Sequence, residues 1–89
     1  MNYRLEVKAP AVRALNEGLP ENVAAAAAEF ITGPLLANPQ RVGKRCFPPL
    51  ESLWAARRGT YRILYAIDED TETVTVLDVR HRRDAYRAR

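Results

Sequence analysis

The clearest structural signal in the chain is the segment Arg57-Arg58-Gly59-Thr60-Tyr61-Arg62-Ile63-Leu64-Tyr65-Ala66-Ile67. After its glycine the apolar side chains recur at every second residue, which is the pattern of a half-buried strand entered through a tight turn. Working outward, the sequence predicts strands over about 52–57, 60–67 and 73–80. Arg58-Gly59 would form the first hairpin turn, because glycine accepts the positive φ that such turns need.

The chain begins with a predicted strand and a short helix. Residues 3–8 alternate apolar and charged side chains, as a half-buried strand does. Pro10 suits the first turn of a helix over 11–17, and Gly18 could end that helix.

A second helix and a long loop are predicted to follow. The helix, over about 21–32, contains the alanine run 24–28, whose smooth surface should pack closely on a sheet. Gly33-Pro34 should end it. Residues 35–50 contain prolines and no clear period, so we expect an ordered loop with exposed cations there.

Together these elements predict a single α+β domain spanning residues 1–89. In it a small, mostly antiparallel sheet, made of the N-terminal strand and a C-terminal three-strand meander, packs against two N-terminal helices. No apolar run approaches the roughly 20 residues that span a bilayer, no signal-peptide pattern is present, and Cys46 is a lone cysteine. We therefore expect a cytoplasmic protein without a membrane partner.

Positive charge is concentrated at the C-terminus. Residues 80–89 contain five arginines and one aspartate, a net charge of +4, so the other 79 residues sum to −1 out of the total of +3. Such a local basic patch is typical of a protein that meets an anionic partner. The acidic stretch 68–72 is interpreted as a solvated turn, since no His or Cys accompanies it, and the sequence predicts no metal and no cofactor.

Alternation assigns the two faces of the predicted sheet. The helix-covered face should hold Tyr61, Ile63, Tyr65, Ile67, Thr75, Leu77 and Val79. The outer face should hold Ala55, Arg57, Arg62, Leu64, Val76, Asp78 and Arg80, with Arg82 as a further candidate. With Arg58-Gly59 as the loop, Ala55 would lie opposite Arg62. An anion site is favoured over a simple ion pair between Arg62 and Asp78, because the outward arginines outnumber that single acid.

The segment 57–68, followed by Val74-Thr75-Val76-Leu77 and His81-Arg82-Arg83-Asp84-Ala85-Tyr86-Arg87, resembles the core of the RelE/ParE toxin superfamily, RelE branch. The order of elements agrees over essentially the whole chain. The resemblance implies the toxin of a type II toxin–antitoxin system, an mRNA interferase. Such an endoribonuclease cleaves mRNA in the ribosomal A site without a metal, inhibits translation and is silenced by a cognate antitoxin protein.

Metal-free RNA cleavage has three chemical requirements, and the family resemblance implies which side chains meet them. The 2′-hydroxyl must lose a proton, charge on the phosphoryl oxygens must be stabilised, and the 5′-oxygen must gain a proton. By the resemblance Arg62 and Arg82 clamp the charge, while Tyr86 stacks on a base or assists proton transfer; from sequence alone Tyr86 could equally anchor the C-terminal tail. His81 is a candidate general acid or base because histidine ordinarily titrates near neutrality, although alternation puts it on the face opposite to Arg80.

Further residues are predicted to contact RNA, and one role is left open. The RNA-binding candidates are Lys44, Arg45, Arg80 and Arg83. Family members carry lysines on the strand before the hairpin, where this chain has Leu53 and Ala55. Arg57 could compensate as a catalytic residue, or Lys44 and Arg45 could reach in from the loop, so the general base is not identified.

Two other functions fit the same residues. A ParE-like inhibitor of DNA gyrase shares the fold and needs no nuclease site, but the clustering of Arg62, Arg82 and Tyr86 argues against it. A non-enzymatic module would bind RNA or an acidic antitoxin segment through the basic sheet, and would tolerate charge-preserving Arg→Lys changes.

Overall fold

The computed structural model describes residues 2–81, and within them the chain forms one mixed five-stranded sheet. The strands are β1 (Arg4–Val7), β2 (Lys44–Arg45), β3 (Trp54–Arg58), β4 (Tyr61–Asp68) and β5 (Thr73–His81). Their order in the sheet is β1-β5-β4-β3-β2, with β1 parallel to β5 and the other pairs antiparallel. The predicted α+β fold class is confirmed.

Helices cover one face of this sheet. They are α1 (Ala9–Arg13), α2 (Glu21–Phe30) and α3 (Pro39–Val42), and α1 and α2 each run on into a π-helical turn, at Ala14–Gly18 and Ile31–Leu35. The largest fully buried side chains are Tyr65, Leu35, Ile63, Val74, Val76 and Pro39. No helix within residues 2–81 is long and apolar enough to cross a membrane.

The second helix does not end at Gly33-Pro34, so that prediction is wrong. Pro34 lies inside the π-helical turn that continues α2. A proline has no N–H to donate and its ring crowds the preceding turn, and the wider π turn is a form in which helices accommodate such breaks. The extension buries Ile31 and Leu35 in the core.

The stretch 35–50 is only partly the predicted loop, because it contains α3 and the short edge strand β2. The Tyr65 hydroxyl donates a hydrogen bond of 2.6 Å to the Pro39 carbonyl and so ties α3 to the sheet. A Cβ at Gly43 would lie 2.1 Å from the Tyr65 Oη and 2.8 Å from the Ala55 carbonyl oxygen. Glycine at this position therefore lets β2 approach β3.

The hairpin between β3 and β4 turns one residue later than predicted. Arg58 pairs with Tyr61 and Arg57 with Arg62, so the turn residues are Gly59 and Thr60, and Gly59 has a φ of +53°. Ala55 consequently lies opposite Leu64 and not opposite Arg62. Because the pairing moves by two residues, the side chains of β3 and β4 stay on the faces that alternation assigned to them.

A β-bulge changes the faces of β5. Tyr65 pairs with Val76 whereas the preceding Leu64 pairs with Asp78, which leaves Leu77 without a partner on β4. The extra residue reverses the alternation, as bulges do. Val76 is therefore fully buried and Thr75 lies on the outer face, where its hydroxyl is 3.5 Å from Glu6 Oε1. The predicted outward Val76 and inward Thr75 were wrong, whereas the assignments of Val79, Asp78 and Arg80 are confirmed.

A row of arginines as the candidate functional site

Three arginines form a row across the outer face of the sheet. Arg57 on β3 pairs with Arg62 on β4, and Arg62 pairs with Arg80 on β5. Residues directly opposite in antiparallel strands share a face, with Cβ atoms about 5 Å apart. All three are exposed. The fold thus brings together three of the site residues predicted from the sequence, and their guanidinium groups can converge on one anion.

Asp78 lies on the same face as the row and forms an ion pair with Arg80. Arg80 Nε lies 3.0 Å from Asp78 Oδ2, while Asp78 Oδ1 accepts a hydrogen bond of 2.8 Å from the Val79 N–H. Within residues 2–81, the guanidinium groups of Arg57 and Arg62 form no hydrogen bond and no ion pair. The alternative interpretation of Arg62, an ion pair with Asp78, is not what the structure shows.

A second row lies beside the first and begins at the sheet edge. Lys44 pairs with Ala55, Ala55 with Leu64 and Leu64 with Asp78. Lys44 therefore shares the outer face with the arginines. The sequence indicated exposed cations at 41–45 but could not place them, because a two-residue strand is too short to show a period.

Arg45, the neighbouring RNA-binding candidate, lies on the other face. It pairs with Trp54, and its Cζ is 5.5 Å from the centroid of the Trp54 ring, a cation–π geometry. Trp54 in turn stacks on Tyr65 with ring centroids 6.4 Å apart. Arg45 is thus paired with an aromatic ring and is not brought to the arginine row.

The remaining predicted site residues are at or beyond the end of β5. His81 pairs with Tyr61, so it lies on the helix-covered face, away from the arginine row. Arg82, Arg83 and Tyr86 lie outside the described residues.

Tyr61, the partner of His81, is a buried phenol, and burial is the main cause that raises its pKa.

The arginine row continues into a groove between β5 and the first helix. This groove has a volume of about 480 Å³ and includes Arg80, Asp78, Arg13 and Glu17 in its lining. Its charges are balanced, unlike those at Arg57 and Arg62. Among residues 2–81 no three His, Cys, Asp or Glu side chains are grouped so that they could hold a metal ion.

Comparison with known proteins identifies the family to which this arrangement belongs. Residues 10–86 match the family described as ParE toxin of type II toxin-antitoxin system, parDE. The chain belongs to the RelE/ParE toxin superfamily. The resemblance inferred from the segment 57–68 and the C-terminal motif is confirmed.

Two relatives of this RelE/ParE chain come from Mycobacterium tuberculosis. Toxin RelE is 46% identical over 85 residues, covering 96% of this chain and 87% of the relative. Toxin RelG is 45% identical over 87 residues, covering 98% and 99% of the two chains.

Solved structures of RelE proteins share the fold. The toxin–antitoxin complex RelBE2 of M. tuberculosis contains a chain with a TM-score of 0.88 and 43% identity, covering 92% of this chain and 100% of that one. The archaeal RelE–RelB complex of Pyrococcus horikoshii gives a TM-score of 0.71 at 26% identity, covering 99% and 100%. The isolated Escherichia coli RelE toxin, at 18% identity and a TM-score of 0.72, shares the fold over 89% of this chain and 83% of its own.

Proposed function

We propose that this RelE/ParE chain is the toxin of a type II toxin–antitoxin system and an mRNA interferase. In this proposal it cleaves mRNA in the ribosomal A site without a metal and so inhibits translation in the cytoplasm. The observation that carries the proposal is the row Arg57-Arg62-Arg80, in which two guanidinium groups have no partner within residues 2–81. A phosphodiester fits such a row, because each planar fork can donate to two oxygens at once.

The proposed reaction is an internal transfer at phosphorus. The 2′-oxygen loses its proton and attacks phosphorus, the bond to the 5′-oxygen breaks and that oxygen gains a proton, so that a 2′,3′-cyclic phosphate and a 5′-hydroxyl result. Arg57 and Arg62 hold the phosphoryl oxygens while negative charge grows on them. Arginine stays protonated, so these residues stabilise charge and do not carry protons.

The C-terminal residues keep the roles that the family resemblance implies. Arg82 is a further clamp on the phosphoryl group, and Tyr86 stacks on a base or assists proton transfer. Arg83 contacts the RNA backbone. His81 is a proton carrier only if the substrate reaches it around the end of β5, because its register position is on the other face.

An open sheet face explains why a ribosome would be needed. The side chains of the arginine row are exposed on the face of the sheet, and by themselves they do not hold a flexible RNA strand in an attacking geometry. Alignment of the reacting atoms accounts for a large part of a catalysed rate, so it has to come from elsewhere. An mRNA codon held in the A site is already aligned, and the toxin then adds the charges.

An antitoxin is the second proposed partner. The solved relatives of M. tuberculosis and P. horikoshii are complexes with an antitoxin, RelB in the archaeal case. An acidic or amphipathic segment of a cognate antitoxin would cover the same exposed arginines. Growth arrest on induction of this chain, relieved by co-expression of an adjacent gene, would support this pairing, and arrest that no neighbour relieves would contradict it.

Toeprinting on programmed ribosomes tests the nuclease. We expect cuts within the A-site codon. The double change Arg57→Ala with Arg62→Ala should slow cleavage by at least about 10²- to 10³-fold for each guanidinium group removed. Arg4→Ala is the matched control, because Arg4 lies on the same face at the far end of the sheet. Absence of A-site cuts, or undiminished cutting by the double variant, would contradict the proposal.

Charge-preserving variants separate catalysis from simple binding. Arg62→Lys keeps the positive charge but loses the planar fork. A clamp on a developing phosphorane should be impaired by this change, whereas a module that only binds RNA or an acidic peptide should tolerate it.

A ParE-like inhibitor of DNA gyrase is the second candidate, favoured by the description of the matching family as a ParE toxin. A supercoiling assay with purified gyrase distinguishes it from the nuclease. Inhibition of gyrase together with absence of A-site cuts would replace the proposed function.

A further inference from the structure

Lys44 lies on the outer face of the sheet because the edge strand β2 pairs with β3. The sequence shows no periodic pattern that would predict β2. Its partner Ala55 lies on the same strand and the same face as Arg57, two residues nearer the start of β3. Two residues of extended chain span roughly 7 Å. Ala55 has a short side chain, so the four-carbon stem of Lys44 can extend over it toward the arginine row.

Lys44 differs from its basic neighbours in what its nitrogen can do. The row consists of guanidinium groups, which do not release protons, whereas an ammonium can give up a proton and recover it. The chain has two lysines, and the other, Lys8, follows β1 at the opposite edge of the sheet. Four strand spacings of about 4.8 Å put the two edges roughly 19 Å apart.

Within residues 2–81, the other groups that could exchange a proton near the arginine row are already engaged or lie on the other face. Asp78 accepts from Arg80 and from the Val79 N–H. Tyr61, Tyr65 and His81 are on the helix-covered side of the register. Lys44 is therefore the described residue best placed to deliver a proton to a phosphodiester held by Arg57 and Arg62.

We propose that Lys44 is the general acid of the site and protonates the departing 5′-oxygen. This inference rests on the proposed RNA cleavage. As the 2′-oxygen forms its bond to phosphorus and releases its proton to solvent water, the phosphorus–O5′ bond breaks. The 5′-oxygen takes a proton from the Lys44 ammonium, and the resulting amine regains one from water. The cyclic phosphate and the 5′-hydroxyl leave with no net change in protons.

Replacing the departing 5′-oxygen by sulfur tests this role of Lys44. Cleavage is measured in single turnover on ribosomes programmed with ordinary mRNA, and with mRNA carrying a 5′-bridging sulfur at the scissile position. A thiolate departs without protonation, because thiols are far more acidic than alcohols. We expect Lys44→Arg to slow cleavage of the ordinary mRNA by about 10²-fold or more. The sulfur substrate should be cut by Lys44→Arg within a few-fold of the unaltered chain.

Matched variants and a binding measurement separate proton transfer from a loss of ribosome binding. Lys8→Arg makes the same change at the opposite edge and should behave like the unaltered chain on both substrates. Lys44→Met should also be rescued by sulfur, and ribosome co-sedimentation shows whether each variant still binds. Equal slowing of Lys44→Arg on both substrates, or no slowing on either, would overturn the role of Lys44. Failure of the unaltered chain to cut would instead remove the proposed function itself.

Discussion

Gly43 is required by close packing and not by backbone strain. Its φ of −137° and ψ of −173° are extended values that any residue can adopt. What excludes a side chain is the Tyr65 hydroxyl, only 2.1 Å from the position of a Cβ, and the Ala55 carbonyl oxygen behind it. One hydrogen atom at residue 43 therefore determines whether β2, and Lys44 with it, can join the sheet.

We expect Gly43→Ala to lower the free energy of unfolding by about 1–3 kcal/mol, the usual range for overpacking. Gly33→Ala is the control, because nothing lies within 4 Å of a Cβ there, and it should be neutral or slightly stabilising. Adding Tyr65→Phe to Gly43→Ala removes the closest contact and should recover part of the loss. Urea unfolding of the unaltered chain, Gly43→Ala, Tyr65→Phe and the double variant measures this coupling, and strictly additive effects would contradict it.

The phenol of Tyr65 makes stability sensitive to alkali. Burial, with a smaller contribution from Cys46, raises its pKa to about 12, above the ordinary value of about 10. The unfolded chain thus loses this proton first, so the stabilisation is complete below pH 10 and falls as the pH rises toward 12.

Tyr65→Phe should therefore flatten the decline of the unfolding free energy between about pH 10 and pH 12. Part of the decline should persist, because burial also raises the pKa of Tyr61. Denaturant unfolding at pH 9, 10 and 11 measures the slope, and a variant as alkali-sensitive as the unaltered chain would contradict the assignment to Tyr65.

At the scale of elements, the β5 bulge at Leu77 determines which β5 side chains lie on the same face of the sheet as the arginine row. Val74 and Val76 are buried before the bulge and Val79 is buried after it. Both halves of the strand therefore bury valine, although their alternation differs by one residue. Without the extra residue, Asp78 and Arg80 could not share the outer face while Val74 and Val76 stayed in the core.

Isosteric exchanges on β5 test this phase. Val76→Thr puts a hydroxyl into the fully buried core and should cost about 1–3 kcal/mol in unfolding free energy. Thr75→Val, on the outer face, should change it by no more than about 0.5 kcal/mol. Strict alternation predicts the reverse order of the two effects, so thermal or urea unfolding distinguishes the two arrangements.

The sequence was sufficient wherever a period was long enough. The eight residues of β4 fixed the helix-covered face correctly, and that assignment carried Arg62 to the outer side. The phase change at Leu77 was visible only as valines at 74, 76 and 79, which strict alternation cannot accommodate. The two-residue β2 has no period at all, and its place depends on the contact of Gly43 with Tyr65, a contact distant in sequence.

At the scale of the described molecule, residues 2–81, the arginine row and an acidic turn lie at opposite ends of β4. Arg62 lies at the hairpin end of β4 and Asp68 at the other end, six residues or about 20 Å away. Beyond Asp68, the Glu69 carboxylate is held by the Tyr3 hydroxyl at 2.8 Å and by the Gln40 amide. A polyanion such as RNA should therefore approach the hairpin end.

This charge separation predicts how binding responds to salt. Affinity for programmed ribosomes should fall as ionic strength rises, and the double change Arg57→Ala with Arg62→Ala should reduce the log–log slope by about 0.7 for each phosphate that is no longer neutralised. A control with Arg4→Ala and Lys8→Ala changes the net charge equally but at the β1 edge of the sheet, away from Arg57 and Arg62. Equal reductions of slope in the two double variants would show that net charge, not the row, attracts the ribosome.

The parallel pairing of β1 with β5 has a consequence for the newly made chain. Arg4 lies beside Thr73 and Val7 beside Val76, so the first strand has no place in the sheet until the last strand exists. At roughly 5–20 residues per second, a ribosome needs about 4–14 s to get from one to the other. The arginine row also spans β5, so it cannot form before β5 has been synthesised. An antitoxin that recognises the row would therefore find no binding site on the nascent chain until that last strand has been made.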